Sequence, residues 1–297
     1  MVAQTRLDIE AEHLKRFAWN FGRWKDVAFP AVIFASEAVL IETFEPGELV
    51  SRFTTDKTLG ITTDVTGGPG AISDRPNPST ALTGELPLQE AHFVVSRGED
   101  LYLKMLLVDN LMHADLHPGN ILLRTPSLCG ERSLALIDAG MVARLTPQEA
   151  AAFIGFLNAM GAGDGAAAAR WVLCFSATQT CRGESAKKFI EEMRALFQEC
   201  CRGFGTGIKF GEVLRGVLTL VREHGVSIDA NYMTLVTNVL VLEGMAGTLL
   251  PDYNVLDAAR PLLDAHRRLP KVLFRAALPV FSGAKRLADG LFVMTHR

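Results

Sequence analysis

Two carboxylates and one carboxamide stand out by spacing. In the string Asn110-Leu111-Met112-His113-Ala114-Asp115-Leu116-His117-Pro118-Gly119-Asn120-Ile121-Leu122-Leu123, four residues separate Asp115 from Asn120, and Asn120 leads straight into an apolar run. Eighteen residues beyond Asn120, at the end of a second apolar run, lies Asp138-Ala139-Gly140. The chemistry that uses such a set is phosphoryl transfer. One carboxylate accepts or orients the proton of the attacking group, while an amide oxygen and a second carboxylate hold a divalent cation on the phosphates. An isolated Asp-Ala-Gly is most often a strand-ending turn; the order of the two motifs, with strands between them, gives the set its meaning. His113, Asp115 and His117 also have the ligand chemistry of a transition-metal site, but no further His or Cys cluster stands at suitable spacing. His113 is read as a structural residue bracing the loop and His117 as a local hydrogen-bonding group.

Several elements must position these groups. Residues 5–21 read as a helix, because Leu7, Leu14, Phe17 and Phe21 recur on one stripe. Glu10 lies on the same stripe, where an unpaired charge is expensive; it needs a cationic partner or a proton, unless it reaches water at the edge of the stripe. The runs Val27 to Phe34 and Ala38 to Phe44 read as adjacent strands, with Pro30 confining the first to a sheet edge. Glu45-Pro46-Gly47-Glu48 is a chain-turning connector suited to a hinge. Thr54 to Pro87 has no sustained period and reads as a surface insertion. Gln89 to Asn110 suits a long helix, and Ile121 to Arg124 with Leu134 to Ile137 suits a β-hairpin with a long tip. From Thr146 onward the pattern is helical. Thr146-Pro147-Gln148-Glu149 opens the first helix with a capping box, and further helices are expected at 164–175, 184–201, 210–224 with Gly225 as its stop, 229–250 and 254–268. The pattern describes a remnant of a small sheet-containing lobe joined to a larger, mainly helical lobe.

Composition bounds the function class. A chain of 297 residues that is 48% hydrophobic and 21% charged is long enough to bury a real core and is not disordered. With 33 acids against 30 bases the formal charge is −3, and no nucleic-acid partner is expected. The five cysteines show no Cys-x-x-Cys pair and are too sparse for a secreted disulfide scaffold, so reduced thiols are expected. No targeting signal is visible at Met1. The uncharged run Ala230 to Leu242 is shorter than the roughly 20 residues of a spanning helix and contains Asn231 and Asn238, which predicts a buried core helix and no transmembrane segment.

The segment His113 to Asn120, followed by Asp138-Ala139-Gly140, resembles the UbiB-type atypical kinases, the aarF-domain-containing (ADCK) family associated with coenzyme Q biosynthesis. The similarity extends to Glu10-Ala11-Glu12, to Leu40-Ile41-Glu42-Thr43-Phe44-Glu45, to Val241-Leu242-Glu243-Gly244-Met245 and to Ala258-Ala259-Arg260-Pro261. Asp-Ala-Gly in place of Asp-Phe-Gly is similar to the divergent mitochondrial branch. The resemblance implies an α+β, protein-kinase-like fold. It would have a partial small N-lobe (1–48), an insertion (49–88), a large mainly helical C-lobe (89–268) and a basic amphipathic C-terminal segment (269–297). It further implies ATP and Mg2+ as cofactors and a substrate or protein partners in a lipid or quinone pathway. The implied location is a mitochondrion, with a plastid as the other possibility, peripheral to a membrane. By position Asp115 would be the catalytic-loop carboxylate, Asn120 and Asp138 the metal ligands, and Glu10 the helix carboxylate that pairs with an ATP-binding lysine. Glu42, Thr43 and Phe44 would offer backbone groups to adenine, and Gly140, His113 and His117 would be structural residues near the site.

The departures carry equal weight. No lysine precedes Glu10, the Lys-x-Gly-Gln element and alanine-rich loop are missing, and Gln4 and Arg6 stand where the family places an acidic pair. A domain that starts before Met1, or a degenerate nucleotide site, would account for this. Only Met141 to Leu145 separate Asp-Ala-Gly from the capped helix. That leaves no room for a peptide-docking segment and favours a small-molecule or lipid acceptor, or ATP hydrolysis. From Arg260 onward eight Lys or Arg residues face only Asp264 and Asp289, a pattern that suits either a solvated terminal helix or contact with an anionic membrane surface. Two other functions remain open: a pseudokinase or scaffold, and a small-molecule phosphotransferase of the aminoglycoside or choline kinase type.

Overall fold

Leu14, Phe17 and Phe21 recur at helical spacing, and burying each phenylalanine contributes about 2–3 kcal/mol relative to leaving it in water. The helix they drive is α1, Leu7–Phe21, whose buried face includes Ala11 instead of Leu7. The computed structural model of the chain describes residues 6–54, 86–205, 207, 210–278 and 281. After α1 come β1 (Val27–Ala28), β2 (Val32–Ala35), β3 (Leu40–Glu42), β4 (Glu48–Leu49) and the short helix α2 (Ser51–Thr54). Helix α3 (Leu88–Lys104) leads to β5 (Met112–His113), β6 (Ile121–Arg124), α4 (Pro126–Cys129), β7 (Ser133–Leu136) and β8 (Val142–Ala143). Then follow α5 (Pro147–Ala162), α6 (Gly165–Val172), α7 (Glu184–Cys200), α8 (Phe210–Glu223), α9 (Ala230–Leu249) and α10 (Val255–Arg268). A further helical stretch covers residues 271–278.

Val27 to Phe34 does not form one strand, which corrects the expectation from the sequence. Pro30 has no N–H for a ladder and a fixed φ, so the run divides. β1 departs to pair in parallel with β7, Val27 opposite Leu134, while β2 pairs antiparallel with β3 and is irregular between Val32 and Phe34. β4 then returns antiparallel to β6, giving a sheet in the order β1-β7-β6-β4. A Cβ on Gly47 would lie 3.0 Å from both Leu122 Cβ and the Leu123 carbonyl oxygen, so glycine is what allows the chain to turn in against β6. Residues on both sides of the hinge therefore share one sheet with the β6–β7 hairpin. The β2–β3 ribbon leaves Ile33, Phe34 and Ile41 exposed.

The helix expected over Gln89 to Asn110 begins at Leu88 and remains α-helical only to Lys104. Met105–Asp109 is a π-helical turn. Asn110 then ends the segment in the left-handed region at φ 49°, a conformation that asparagine tolerates. Its Nδ2 donates to the Leu145 carbonyl at 2.7 Å and its Oδ1 accepts the Leu145 N–H at 3.2 Å. The two ends of the segment that carries the candidate chemistry are thereby tied together. Within the expected insertion, Leu49 is in a strand and residues 51–54 are helical; residues 55–85 lie outside the described residues. The hairpin tip contains one helical turn, α4, instead of an open loop.

The helical lobe follows the sequence closely. Thr146 accepts the Glu149 N–H at 3.2 Å and Glu149 accepts the Thr146 N–H at 2.6 Å, a complete capping box, and Gly225 ends α8 at φ 59°. Helix α9 is longer than the uncharged run, because it continues through Glu243 to Leu249. At 20 residues it is long and apolar enough to cross a membrane by length and composition. Here it packs against α3, α8 and α10, with Tyr232, Leu235, Asn238 and Leu242 buried. One hydrophobic core runs from Leu14 in α1 to Phe274 in the 271–278 stretch. All five cysteines are free.

Below α1 the core contains charge. Arg97 on α3, only 2% exposed, reaches Asp26 at 2.5 Å and Asp100 at 3.1 Å, and its guanidinium lies 5.0 Å from the Trp24 ring centre. Arg97→Ala is expected to cost about 3–5 kcal/mol, because it removes the guanidinium from the buried Asp100 and the part-buried Asp26. Urea denaturation followed by circular dichroism measures this, and a loss below about 1 kcal/mol, the worth of an exposed pair, would contradict the account.

Candidate active site

The β6–β7 hairpin brings the two motifs to one end. Ile121 faces Leu136 in antiparallel register, and beyond the ladder the Ile137 N–H donates to the Asn120 carbonyl at 3.1 Å. Asn120 and Asp138 therefore flank the hairpin's base. The 3-10 turn Pro118–Asn120 aims the Asn120 side chain. Its Nδ2 donates to the Asp115 carbonyl at 3.0 Å and lies 3.4 Å from Asp115 Oδ2, so Oδ1 is the open face of the amide. Asp138 Oδ1 accepts the Gly140 N–H at 2.8 Å. The Asp115 carboxylate is 47% exposed. His117 Nδ1 accepts the Gly119 N–H at 3.0 Å, and its Nε2 stands 3.7 Å from Asp115 Oδ2, too far for a hydrogen bond.

His113 is buried beneath this surface. Its Nε2 donates to the Asp138 carbonyl and its Nδ1 accepts the Asp115 N–H at 3.2 Å, which fixes the neutral tautomer protonated on Nε2. Burial holds its pKa below the ordinary histidine value. The His113 carbonyl in turn accepts Asn238 Nδ2 at 2.5 Å, and Asn238 Oδ1 accepts the Leu116 N–H at 3.4 Å. The Phe17 ring lies 5.9 Å from the imidazole and stacks on Phe29 at 5.4 Å. Asn238 was not legible as a site residue; its one signal is a carboxamide in an uncharged, mainly apolar run.

Helix α1 grips the backbone of Ala139 from both sides. Glu10 Oε1 accepts the Ala139 N–H at 3.4 Å, and His13 Nδ1 donates to the Ala139 carbonyl at 2.9 Å. The three-residue spacing that puts Glu10 and His13 on one helix face is a signal the sequence offers but does not interpret. Burial raises the pKa of Glu10 and the charge on Asp138 adds to the rise, opposed by the Ala139 N–H and His13. Glu42 is raised for the same first reason, then by Glu10, Asp138 and Glu45, and its Oε2 is buried without a hydrogen bond. Among the described residues no lysine or arginine pairs with Glu10, Glu42 or Asp138; of the outcomes expected for Glu10, the cationic partner is not found there, and the part-buried carboxylate accepts the Ala139 N–H instead.

Past β3 the hinge is built differently from its sequence expectation. The Thr43 N–H donates to the Ala31 carbonyl at 2.9 Å, and Thr43 Oγ1 accepts the Ala31 N–H at 2.8 Å. The amide of Thr43 is therefore already occupied. Phe44 is 89% exposed, and Glu45 bonds Arg124 at 3.0 Å, fastening the hinge to β6. The structure thus gathers Glu10, Glu42, His113, Asp115, Asn120, Asp138 and Gly140 into one neighbourhood, with His117 beside Asp115 and Thr43 and Phe44 in the link just past β3.

Two outcomes follow from these contacts. Asn238→Ala leaves a buried carbonyl and N–H without partners, at about 1–3 kcal/mol. Hydrogen exchange at Leu116 is expected to accelerate, and unchanged protection would remove Asn238 from this role. Glu10 binds its proton more tightly folded than unfolded, so its contribution to stability falls as pH rises past the ordinary glutamate value of 4.5. In metal-free buffer Glu10→Gln should melt higher than the parent at neutral pH, with the difference closing as pH is lowered. A difference of the opposite sign, or one independent of pH, contradicts the raised pKa.

The ABC1 atypical kinase-like domain matches residues 3–171. "Probable serine/threonine-protein kinase abkC" of Dictyostelium discoideum is 27% identical over 328 residues, covering 89% of this chain and 43% of that protein. A mitochondrial ABC1 family protein of Schizosaccharomyces pombe is 26% identical, covering 88% of this chain and 39% of its own length. "Probable protein kinase UbiB" of Pasteurella multocida is 25% identical over 58% of this chain and 32% of its own. A Mycobacterium tuberculosis protein solved with erythromycin covers 86% of this chain and 59% of its own at 13% identity and a TM-score of 0.46, too loose a likeness to carry an argument. The chain spans less than half the length of the curated relatives it matches. The matched segment contains α1, the hinge, the β6–β7 hairpin and every site residue described above except Asn238, and the chain belongs to the ABC1 atypical kinase-like family.

Proposed function

We propose that this chain carries the metal-nucleotide site of a UbiB-type atypical kinase or ATPase that uses Mg-ATP and acts in or beside ubiquinone or related lipid metabolism. The observation that carries the reading is the placement of Asn120 and Asp138 at one end of a single hairpin, with Asp115 tied to the Asn120 amide. The donor set fits magnesium, which takes oxygen from one or two carboxylates and completes its shell with phosphates and water. Asn120 Oδ1 and Asp138 Oδ2 are the protein's oxygens. Among the described residues no group of three or more His, Cys, Asp or Glu could hold a metal by itself, so phosphate oxygens are needed. When bound, the cation would supply positive charge to offset that of the phosphates. Asp115, half exposed beside them, would hold the proton of the attacking hydroxyl or water. His113 and the Gly140 N–H orient Asp138, and the backbone flanking Thr43 would face adenine.

The acceptor follows from what separates Asp138 from α5. Residues 141–145 contain only β8 and a short link, which supports a small-molecule or lipid acceptor, or ATP hydrolysis coupled to another event. The likeness to UbiB proteins supports the quinone link, and the mitochondrial yeast relative supports a mitochondrial location. The basic residues near the C-terminus support peripheral contact with a membrane. A second reading, a scaffold that does not turn over ATP, is favoured by the uncompensated carboxylates Glu10, Glu42 and Asp138.

Thermal denaturation of the chain with ATP, with and without magnesium, separates these readings. Magnesium-dependent stabilisation is expected, since a ligand that binds only the folded state raises its melting point. Asp138→Asn should abolish that shift. Asp115→Asn should keep it and lose any ATP turnover. An unchanged shift in Asp138→Asn, or full turnover in Asp115→Asn, overturns the corresponding assignment, and a folded protein with no shift favours the scaffold.

A further inference from the structure

Between the π-helical turn, the first turns of α5 and the 271–278 stretch lies a cleft of about 660 Å3, lined by none of the candidate active-site residues. Its lining includes the apolar Leu107, Ile154 and the 78% exposed Val272. The lining also includes the cations Arg267, Lys271 and Arg275. The acids nearby are shared among several cations, and Asp109 interacts electrostatically with Arg275. Asp109, which faces the cleft, is held by Lys104 at 2.6 Å. Asp264 lies 3.4 Å from Arg267 and 3.7 Å from Arg260. Among the described residues no carboxylate stands within ion-pair distance of Lys271 or Arg275. Arg275 is nonetheless fixed in place, its Nη2 donating to the Val108 carbonyl at 2.8 Å. A guanidinium positioned in advance beside an unpaired ammonium is a receptor for a carboxylate or phosphate. The volume is that of a site for one small molecule.

We infer that this cleft binds a single anionic amphiphile, with its carboxylate or phosphate head at Lys271 and Arg275 and its hydrocarbon chain along Leu107, Ile154 and Val272. An inorganic anion would leave the apolar lining wet, and a neutral hydrocarbon would leave the two cations without an anion at ion-pair distance. The site uses none of the candidate catalytic residues and does not rest on the kinase reading.

Isothermal titration of the full chain with dodecyl phosphate, kept below its micellar concentration, tests the inference. Saturable one-to-one binding is expected. Lys271→Glu should weaken it about tenfold, the scale of one lost charge-assisted contact, and Val272→Asp should weaken it by shortening the apolar lining. Both positions are exposed, and the unliganded melting points of the variants verify their folding. Vesicles containing phosphatidylglycerol identify the source. Vesicle binding that dodecyl phosphate displaces and Lys271→Glu weakens supports a membrane lipid, whereas dodecyl phosphate binding without vesicle binding supports a free amphiphile. The inference is overturned by equal affinity for inorganic phosphate or dodecyltrimethylammonium, by unchanged affinity in both variants, or by no binding.

Discussion

His113 is withdrawn from water, and both of its ring nitrogens are already engaged by the backbone. One accepts from Asp115 and the other donates to Asp138, so the imidazole sets the distance between the two carboxylates on which the candidate chemistry rests. Protonating it would replace the acceptor facing the Asp115 N–H with a second donor, which is why burial and the hydrogen bonds select the same neutral tautomer. Its own carbonyl is held from the far side by Asn238 on α9. The loop is therefore clamped between the sheet and the central helix of the larger lobe. A loop built in this way owes its shape to buried polar contacts, whose cost when unmade exceeds their worth when made.

The same constraint extends to α1. That helix touches the Asp-Ala-Gly turn through Glu10 and His13, while its other end is held over α3, where Lys104 lies 4.1 Å from the Phe21 ring centre and Arg97 stacks on Trp24. The cationic anchors sit at the far end of the helix and the carboxylates at the near end. This separation leaves Glu10 and Glu42 with proton affinities raised first by burial and then by neighbouring carboxylates, Asp138 among them. Among the described residues no lysine or arginine pairs with these carboxylates, and their mutual proximity gives this part of the site a negative bias.

The elements read most directly from sequence are those whose causes are local. The capping box at Thr146, the stripe of α1, the stop at Gly225 and the hairpin around residues 121–136 all arise from neighbours within a turn or a strand, and each is found where the pattern puts it. The elements that differ are those with a distant cause. Pro30 broke a run that periodicity treated as one strand, and β1 then found its partner more than a hundred residues away. The helix ending at Asn110 became a π-turn because Asn110 is tied to Leu145. Helix α9 ran past Glu243 because neighbouring helices cover it.

By itself the sequence determined the set of reactive groups: Asp115 and Asn120 at fixed spacing, Asp138 after a second strand, and a glutamate on an apolar helix stripe. Side-chain type and local period are enough for that, because they follow from chain geometry over a few residues. Only the tertiary structure decided the state of those groups. Whether Glu10 meets a cation or a buried N–H, whether the Thr43 amide is open or already bonded, and which residue holds the His113 carbonyl depend on atoms brought together across the whole fold. Desolvation and hydrogen-bond satisfaction are properties of that assembled surrounding, and no spacing along the chain encodes them.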